Sequence, residues 1–192
     1  MKNFLSFLFI SISTLNITHA QEKGDRAKLV LYNAPTDTLM VNVKNAYPFD
    51  LDQIDVASSY KAGKVWFFEN GKRISKESQT IKYLEFTDRK DKLRKFTYDS
   101  RLDMKNLSEI VISGKISFYI NIRLAGLYGQ HRDANRFLEK DGLIIHLKGS
   151  QKKFKEKIKE FMTDQPDYQN KLDNKKLDHE EILDIIREYN TL

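Results

Sequence analysis

The segment Lys115–Arg123, KISFYINIR, constrains the fold of this chain more than any other stretch. Its side chains alternate strictly, with Ile or Phe at every even position from 116 to 122 and more polar residues between them. A period of two in β-branched and aromatic residues predicts a strand with one buried face. Tyr119 and Arg123 lie on the polar face, which in an antiparallel sheet can meet water or a partner.

The first twenty residues have the pattern of a secretory signal peptide. Lys2 precedes an apolar run of about fourteen residues, and Thr18-His19-Ala20 forms a small-x-small cleavage site before Gln21. The run is shorter than the roughly 18–20 residues that span a bilayer. A membrane anchor or a buried N-terminal strand is the alternative interpretation. We therefore expect cleavage between Ala20 and Gln21, no transmembrane segment, and a mature protein that is periplasmic or secreted.

Composition narrows the class of protein further. The mature segment, residues 21–192, is long enough for one domain with a sizeable core. The chain has no cysteine, which excludes disulfides, thiolate nucleophiles and Cys-ligated zinc. Its 33 Lys and Arg exceed its 27 Asp and Glu, but opposite charges are interspersed, which is typical of a solvated surface. We expect no nucleic-acid partner outside the cytoplasm, and another envelope protein or an anionic envelope surface as the kind of partner.

Hairpin signals occur on both sides of the central strand. Asn70-Gly71, directly after the strand Lys64–Glu69, and Asp141-Gly142 are two-residue turns that favour hairpins. The other predicted strands are Lys28–Asn33, Thr38–Lys44, Gln79–Thr87, Leu93–Tyr98, Asn135–Lys140 and Leu143–Lys148. Tyr47–Tyr60 and Ala125–Asp133 are predicted to be mainly loop.

A short helix is predicted directly before the central strand. Asp103 can cap the free amides of a first turn, and Leu102 with Leu107 fits a hydrophobic staple. Leu107, Ile110 and Val111 have the spacing of a buried helical stripe. Ser113-Gly114 would then end the helix.

From residue 151 the pattern changes from strand to helix. Gln151–Met162 repeats apolar residues on one helical face, and Pro166 opens a short second helix. The last helix begins at Asp178, and the spacing to Glu181 predicts a capping box. Its apolar stripe is Ile182, Ile185, Ile186 and Tyr189.

Strands first and helices last predict an α+β fold. We expect a single domain over 21–192, with one short helix and a mostly antiparallel sheet of about seven to nine strands in 21–150. The helical tail, 151–192, would pack on this sheet. Because Lys64–Glu69 is apolar on both faces, the sheet is either half of a sandwich or is covered by the tail helices.

The tail Phe161–Asn190, with an Asp-x-Pro start and a closing Tyr-Asn, resembles the end of uncharacterised exported proteins of Bacteroidota-type Gram-negative bacteria. Leu107–Tyr119, which contains the Ser113-Gly114-Lys115 junction, resembles their middle section. Some of those proteins have a cysteine where this chain has Gln165, so no thiol role is implied here. The resemblance implies export and architecture, and it transfers no activity and no catalytic residue.

Residues with catalytic or metal-binding chemistry form no recognised motif. His131, His146 and His179 lack the spacing of a metal-ligand pair, so we expect no metal site and no cofactor. His131-Arg132-Asp133 places an acid/base group beside a cation, which a solvated loop explains equally well. The five lysines of Gln151–Met162 are interrupted by Glu156 and Glu160, which is typical of a solvated face, with an anionic surface as the alternative partner.

The sequence therefore predicts a non-catalytic exported binding or envelope-interaction protein. Tyr119, Arg123, His131 and Arg132 are its candidate contact residues. The alternative is a small hydrolase of envelope glycan or peptide, whose Asp, Glu and His residues would meet only on folding. Convergence of His131, His146 and a carboxylate in one pocket would favour that enzyme. A ligand carrier with a cavity inside a closed sheet is a third interpretation.

Overall fold

The structure is a computed structural model that describes residues 25–43, 63–69, 72–88, 91–102, 104–125, 131–173 and 177–192. Within these ranges the strands are β1 (Asp25–Leu31), β2 (Ala34–Val43), β3 (Lys64–Glu69), β4 (Lys72–Glu77), β5 (Ile81–Thr87), β6 (Leu93–Thr97), β7 (Ser108–Ile112), β8 (Ser117–Ala125), β9 (His131–Lys140) and β10 (Leu143–Leu147). The helices are α1 (Gln151–Phe161), α2 (Pro166–Leu172) and α3 (His179–Tyr189). Single 3-10 turns occur at Ser78–Thr80 and Ser100–Leu102.

The strands form one antiparallel sheet in the order β10-β9-β8-β7-β6-β5-β1-β2-β3-β4. The α+β prediction, with a helical unit at the C-terminus, is confirmed. The described ranges contain ten strands rather than about seven to nine, because one predicted helix is a strand.

The predicted helix before the central strand is wrong, since β7 lies there. Ile110, Val111 and Ile112 are consecutive β-branched residues, which favour extended backbone. So short a segment is marginal as a helix but gains ladder hydrogen bonds from β6 and β8 on both sides. The register shifts between Ile110 and Ile112, and this irregularity breaks the period of two. The resulting apolar spacing resembled that of a helix. Asp103 lies outside the described residues.

The other predicted elements occur with shifted ends. The first hairpin turns at Tyr32-Asn33, and Pro35 lies inside β2. A proline fits there because β2 pairs with β3 only at Asn42 and Val43. The β3–β4 hairpin is confirmed by its register, whereas Asn70-Gly71 and Tyr47–Tyr60 lie outside the described residues. The predicted loop Ala125–Asp133 is shorter than expected because β8 and β9 extend into it, and 126–130 lie outside the description.

The sheet bends over itself where it is built from β1 to β6. A Cβ at Gly63, directly before β3, would lie 3.2 Å from the carbonyl oxygen of Lys105, which precedes β7. β3 and β7 are five places apart in the sheet, or about 24 Å in a flat sheet with strands about 4.8 Å apart. Strong curvature must therefore bring them together. We call β1–β6 the curled half, and β7–β10 with α1–α3 the helix-covered half.

Each half has its own apolar core. The helix-covered half buries Ile112, Ile116, Phe118 and Leu138 of the sheet region against Phe154, Ile158, Phe161, Met162, Leu172, Ile182, Leu183, Ile185, Ile186 and Tyr189. The curled half buries Ala27, Leu29, Val41, Val43, Val65, Phe67, Ile81, Leu84, Phe86 and Phe96, together with Leu107. The tail helices cover β7–β10, whereas Lys64–Glu69 lies in the curled half, where Val65 and Phe67 are buried and Trp66 and Phe68 are half-buried.

The end of α3 is fastened to the sheet by Tyr189 and Asn190. The Lys140 ammonium donates to the Tyr189 hydroxyl (2.7 Å), and that hydroxyl lies 2.8 Å from Asp164. The Asn190 side chain accepts from the backbone amide of Ile116 and donates to its carbonyl, at 2.8 Å each. A Cβ at Gly114 would lie 2.5 Å from Asn190, so glycine makes this approach possible. The closing Tyr-Asn therefore packs against the Ser-Gly-Lys junction. We call the contact of Asn190 with Gly114 and Ile116 the clasp.

Candidate functional site

The four predicted contact residues lie on β8 and β9. Tyr119 is half-buried. It pairs with Phe137, and the neighbouring pair, Phe118 and Leu138, faces the helices. Because successive side chains alternate between faces, Tyr119 lies on the sheet face away from the helices. Burial raises the pKa of Tyr119, and Glu139 and Asp99 add to this effect. Arg123, His131 and Arg132 occupy adjacent rungs of the same ladder. The side chains of these last three residues lie outside the described part of the chain.

The two described histidines do not meet. His146 shares a rung with Phe137 and stacks on its ring at 4.6 Å, so it lies on the face away from the helices. His179 lies on the other face, 5.4 Å from the Phe154 ring and 6.1 Å from that of Phe118. Burial lowers the pKa of His146, and Lys148 lowers it further. No group of three or more His, Asp and Glu residues in the described ranges is placed to hold a metal ion.

A cavity of about 270 Å³ opens instead where β9 and β10 meet the first residues of α1 and α3. Its wall combines two permanent cations, one imidazole, an amide and two apolar side chains. The lining residues are Arg136, Leu147, Lys148, Gly149, Gln151, Phe154 and His179. None of these described lining residues is acidic, so the lining itself is net positive, while Asp178 and Glu180 lie close to His179.

Arg136 reaches the pocket from a position that alternation directs toward the helices. It pairs with Ile120 on one side and with Leu147 on the other, and both contact the apolar core under the helices. Its Nε atom is buried and has no hydrogen-bond partner in the structure. A buried donor without an acceptor costs about 1–3 kcal/mol, so the Arg136 guanidinium is incompletely satisfied within the fold.

The first turn of α1 adds a second source of positive potential. Ser150 is the N-cap residue, but its side chain makes no capping hydrogen bond. The cap of α3 differs, because Asp178 and Glu181 form a complete capping box there. The amides that precede Phe154 in α1 have no intrahelical acceptor, and the helix dipole favours an anion beside them.

Gly149 lines the pocket in a backbone conformation that favours glycine. Its φ of +100° is in a region that residues with a side chain rarely adopt. A Cβ there would lie 3.1 Å from Cδ of Lys153, whose stem packs over the glycine. A further lysine thus stands beside the pocket.

His179 completes the wall as a largely neutral group at pH 7. Burial lowers its pKa, and the nearby Arg136 charge lowers it further, while Glu180 and Asp178 oppose this shift. The ring is fixed by its contacts with Phe118 and Phe154. A neutral imidazole can donate one hydrogen bond and gains a proton readily when an anion lies beside it.

Sequence reasoning missed this pocket, although one signal for it was present. Arg136 precedes Leu138 by two residues, so alternation places an arginine on a buried strand face. A charged residue at a core-facing strand position is unusual unless it is paired or meets a ligand. The proximity of residues 136, 148 and 179 has no local signal, because three separate elements supply them.

The chain matches no known protein family, no curated protein and no solved structure. None of the helices within the described ranges has the length and hydropathy of a membrane span.

Proposed function

We propose that this protein is an exported, non-catalytic binding protein of the bacterial envelope, periplasmic or secreted, that holds a small ligand in the cationic pocket. The signal-peptide pattern before Gln21 supports export. The pocket itself carries the binding proposal, because Arg136, Lys148 and His179 line one concave wall and none of its described lining residues is acidic.

The arrangement favours binding over hydrolysis. General acid–base hydrolysis needs a carboxylate or imidazole positioned by a second polar group. In the pocket, His179 contacts two aromatic rings, and no carboxylate shares the described lining. On the opposite face, the pKa of His146 is set by burial and Lys148 rather than by a carboxylate.

Binding without turnover is the property to test. The mature chain would be purified from periplasm and medium, its N-terminus identified, and the protein incubated with envelope glycan, peptide and lipid fractions. We expect a chain that starts at Gln21 and retains an unchanged small ligand, detected by mass spectrometry after gel filtration. Retention should fall in R136Q. Time-dependent release of cleaved product, above the level seen without protein, would instead establish the hydrolase.

A further inference from the structure

We infer that the pocket recognises a phosphate monoester, with the phosphate held by Arg136, Lys148 and His179 and its apolar substituent resting against Leu147 and Phe154. This inference rests on the proposed binding function and specifies its ligand class. The shared chemistry is a terminal phosphate, which a soluble phosphomonoester or the headgroup of phosphatidic acid can supply.

The charge of the pocket selects an anion. Arg136 and Lys148 make no ion pair with another described residue, unlike most lysines of α1, such as Lys157, which pairs with Glu160 at 2.8 Å. Arg136 is half-buried, and a partly buried cation without counter-charge is unfavourable, so an anionic ligand would remove that cost. Lys153, packed over Gly149 at the rim, increases the local positive potential.

The number of donors favours phosphate over carboxylate. Arg136, Lys148 and His179 line one cavity, and Gln151 brings the first turn of α1 to the same wall. A terminal phosphate presents three acceptor oxygens carrying up to two negative charges, whereas a carboxylate presents two oxygens and one charge. Arginine and a helix start are both well suited to phosphate oxygens.

The size and wall of the pocket limit the rest of the ligand. Its volume, about 270 Å³, lies just below the range of about 300–1,000 Å³ typical of pockets that enclose a whole drug-sized ligand. Leu147 and Phe154 form an apolar wall beside the polar groups. The pocket therefore suits a phosphate with a small apolar substituent, while a larger substituent would extend into solvent.

Calorimetric titration with phenyl phosphate tests the inference, with benzoate and phenol as the carboxylate and neutral probes. Inorganic phosphate tests the anion without its apolar part. We expect phenyl phosphate to bind most tightly, inorganic phosphate more weakly, and benzoate at least about tenfold more weakly than phenyl phosphate, because fewer charge-assisted hydrogen bonds form.

Variants assign the binding to the pocket. R136Q and K148Q should each weaken phenyl phosphate binding about tenfold or more. K72Q is the matched control, because Lys72 is an exposed cation on β4 at the other edge of the sheet, and it should leave affinity unchanged. Lys148 is also exposed, so K148Q keeps the test valid even if R136Q fails to fold.

Vesicle flotation separates the two sources of phosphate. Recruitment to phosphatidylcholine vesicles containing phosphatidic acid, and not to those containing phosphatidylglycerol, would support a terminal lipid phosphate. Binding to phenyl phosphate alone would support a soluble phosphomonoester. Equal affinity for benzoate and phenyl phosphate, or unchanged affinity in K148Q, would overturn the inference. The binding function would still stand if R136Q abolished retention of a different envelope ligand.

Discussion

The two halves of the sheet bury their apolar faces in different ways. The curled half covers its apolar face by bending β3 toward the segment before β7. The helix-covered half needs α1–α3 as a separate layer, fastened by polar contacts such as those of Tyr189 and Asn190. Because two helix starts meet strand ends there, this half contains the pocket. A core closed by added helices leaves polar backbone at its rim, where a ligand can bind.

A buried ion network joins the two halves. Arg94 of β6 donates to both carboxylate oxygens of Glu109 on β7, at 2.5 and 2.6 Å, and lies 3.3 Å from Asp88 after β5. All three residues are buried. Continuous pairing through β6 and β7, together with this network, makes us expect the halves to unfold as one cooperative unit.

The largest effect is expected for E109Q, which weakens that junction. Removing one charge of a buried network costs about 3–5 kcal/mol of unfolding free energy, because the Arg94 charge is left incompletely compensated. Denaturant unfolding would be followed by fluorescence of Trp66, in the curled half, and by far-UV circular dichroism, which reports on the helices. E77Q is the matched control, since Glu77 forms an exposed pair with Lys64 and its change should cost below about 1 kcal/mol.

Coincident curves from the two probes are expected in the native chain. If the helical signal is lost well before the Trp66 signal, the halves are independent, and the idea that the Arg94–Glu109 network couples them is wrong.

An intermediate effect is expected at the clasp of the helix-covered half. N190A removes two hydrogen bonds to the Ile116 backbone and should cost about 1–3 kcal/mol. G114A should cost about 1–3 kcal/mol in the native chain, because its Cβ would overlap Asn190. In the N190A background the same substitution should cost below about 0.5 kcal/mol. Thermal and denaturant unfolding of the four chains measures this coupling, and strictly additive costs would show that Gly114 and Asn190 do not share a clasp.

The smallest effect concerns the pH dependence of the helix-covered half. The folded pKa of His179 lies below its unfolded value of about 6.5, mainly because of burial and then because of Arg136. The unfolded state therefore binds more protons as pH falls from about 7 to 5, and stability decreases over that window. H179F keeps a ring beside Phe118 and Phe154 but cannot titrate. It should therefore reduce the loss of unfolding free energy between about pH 7 and 5, by less than about 1 kcal/mol.

His146, whose pKa is also lowered by burial, should contribute a separate part of the same slope. H146F and the double variant provide the comparison, with urea unfolding measured at each pH. An H179F slope identical to that of the native chain would show that His179 titrates alike in the folded and unfolded states.

The sequence predictions were correct where the residues that stabilise a feature all lie within one element. The capping box of Asp178 and Glu181, the amphipathic face of α1 and the Asp141-Gly142 turn all depend on residues within a few positions of one another. β7 was read wrongly because the register shift at Val111 imitates helical spacing, and only its two neighbouring strands decide between the structures. The predicted contact residues on β8 and β9 remain predictions.

The sequence alone determined the antiparallel α+β class and the ends of the tail helices, since short-range periodicity and capping encode them, while export remains a prediction. Tertiary structure decided how the sheet curls, why Gly114 must be small, and that Arg136, Lys148 and His179 share one pocket. These features join residues far apart in the chain. They are stabilised by packing between separate elements, and short-range sequence patterns do not encode such contacts.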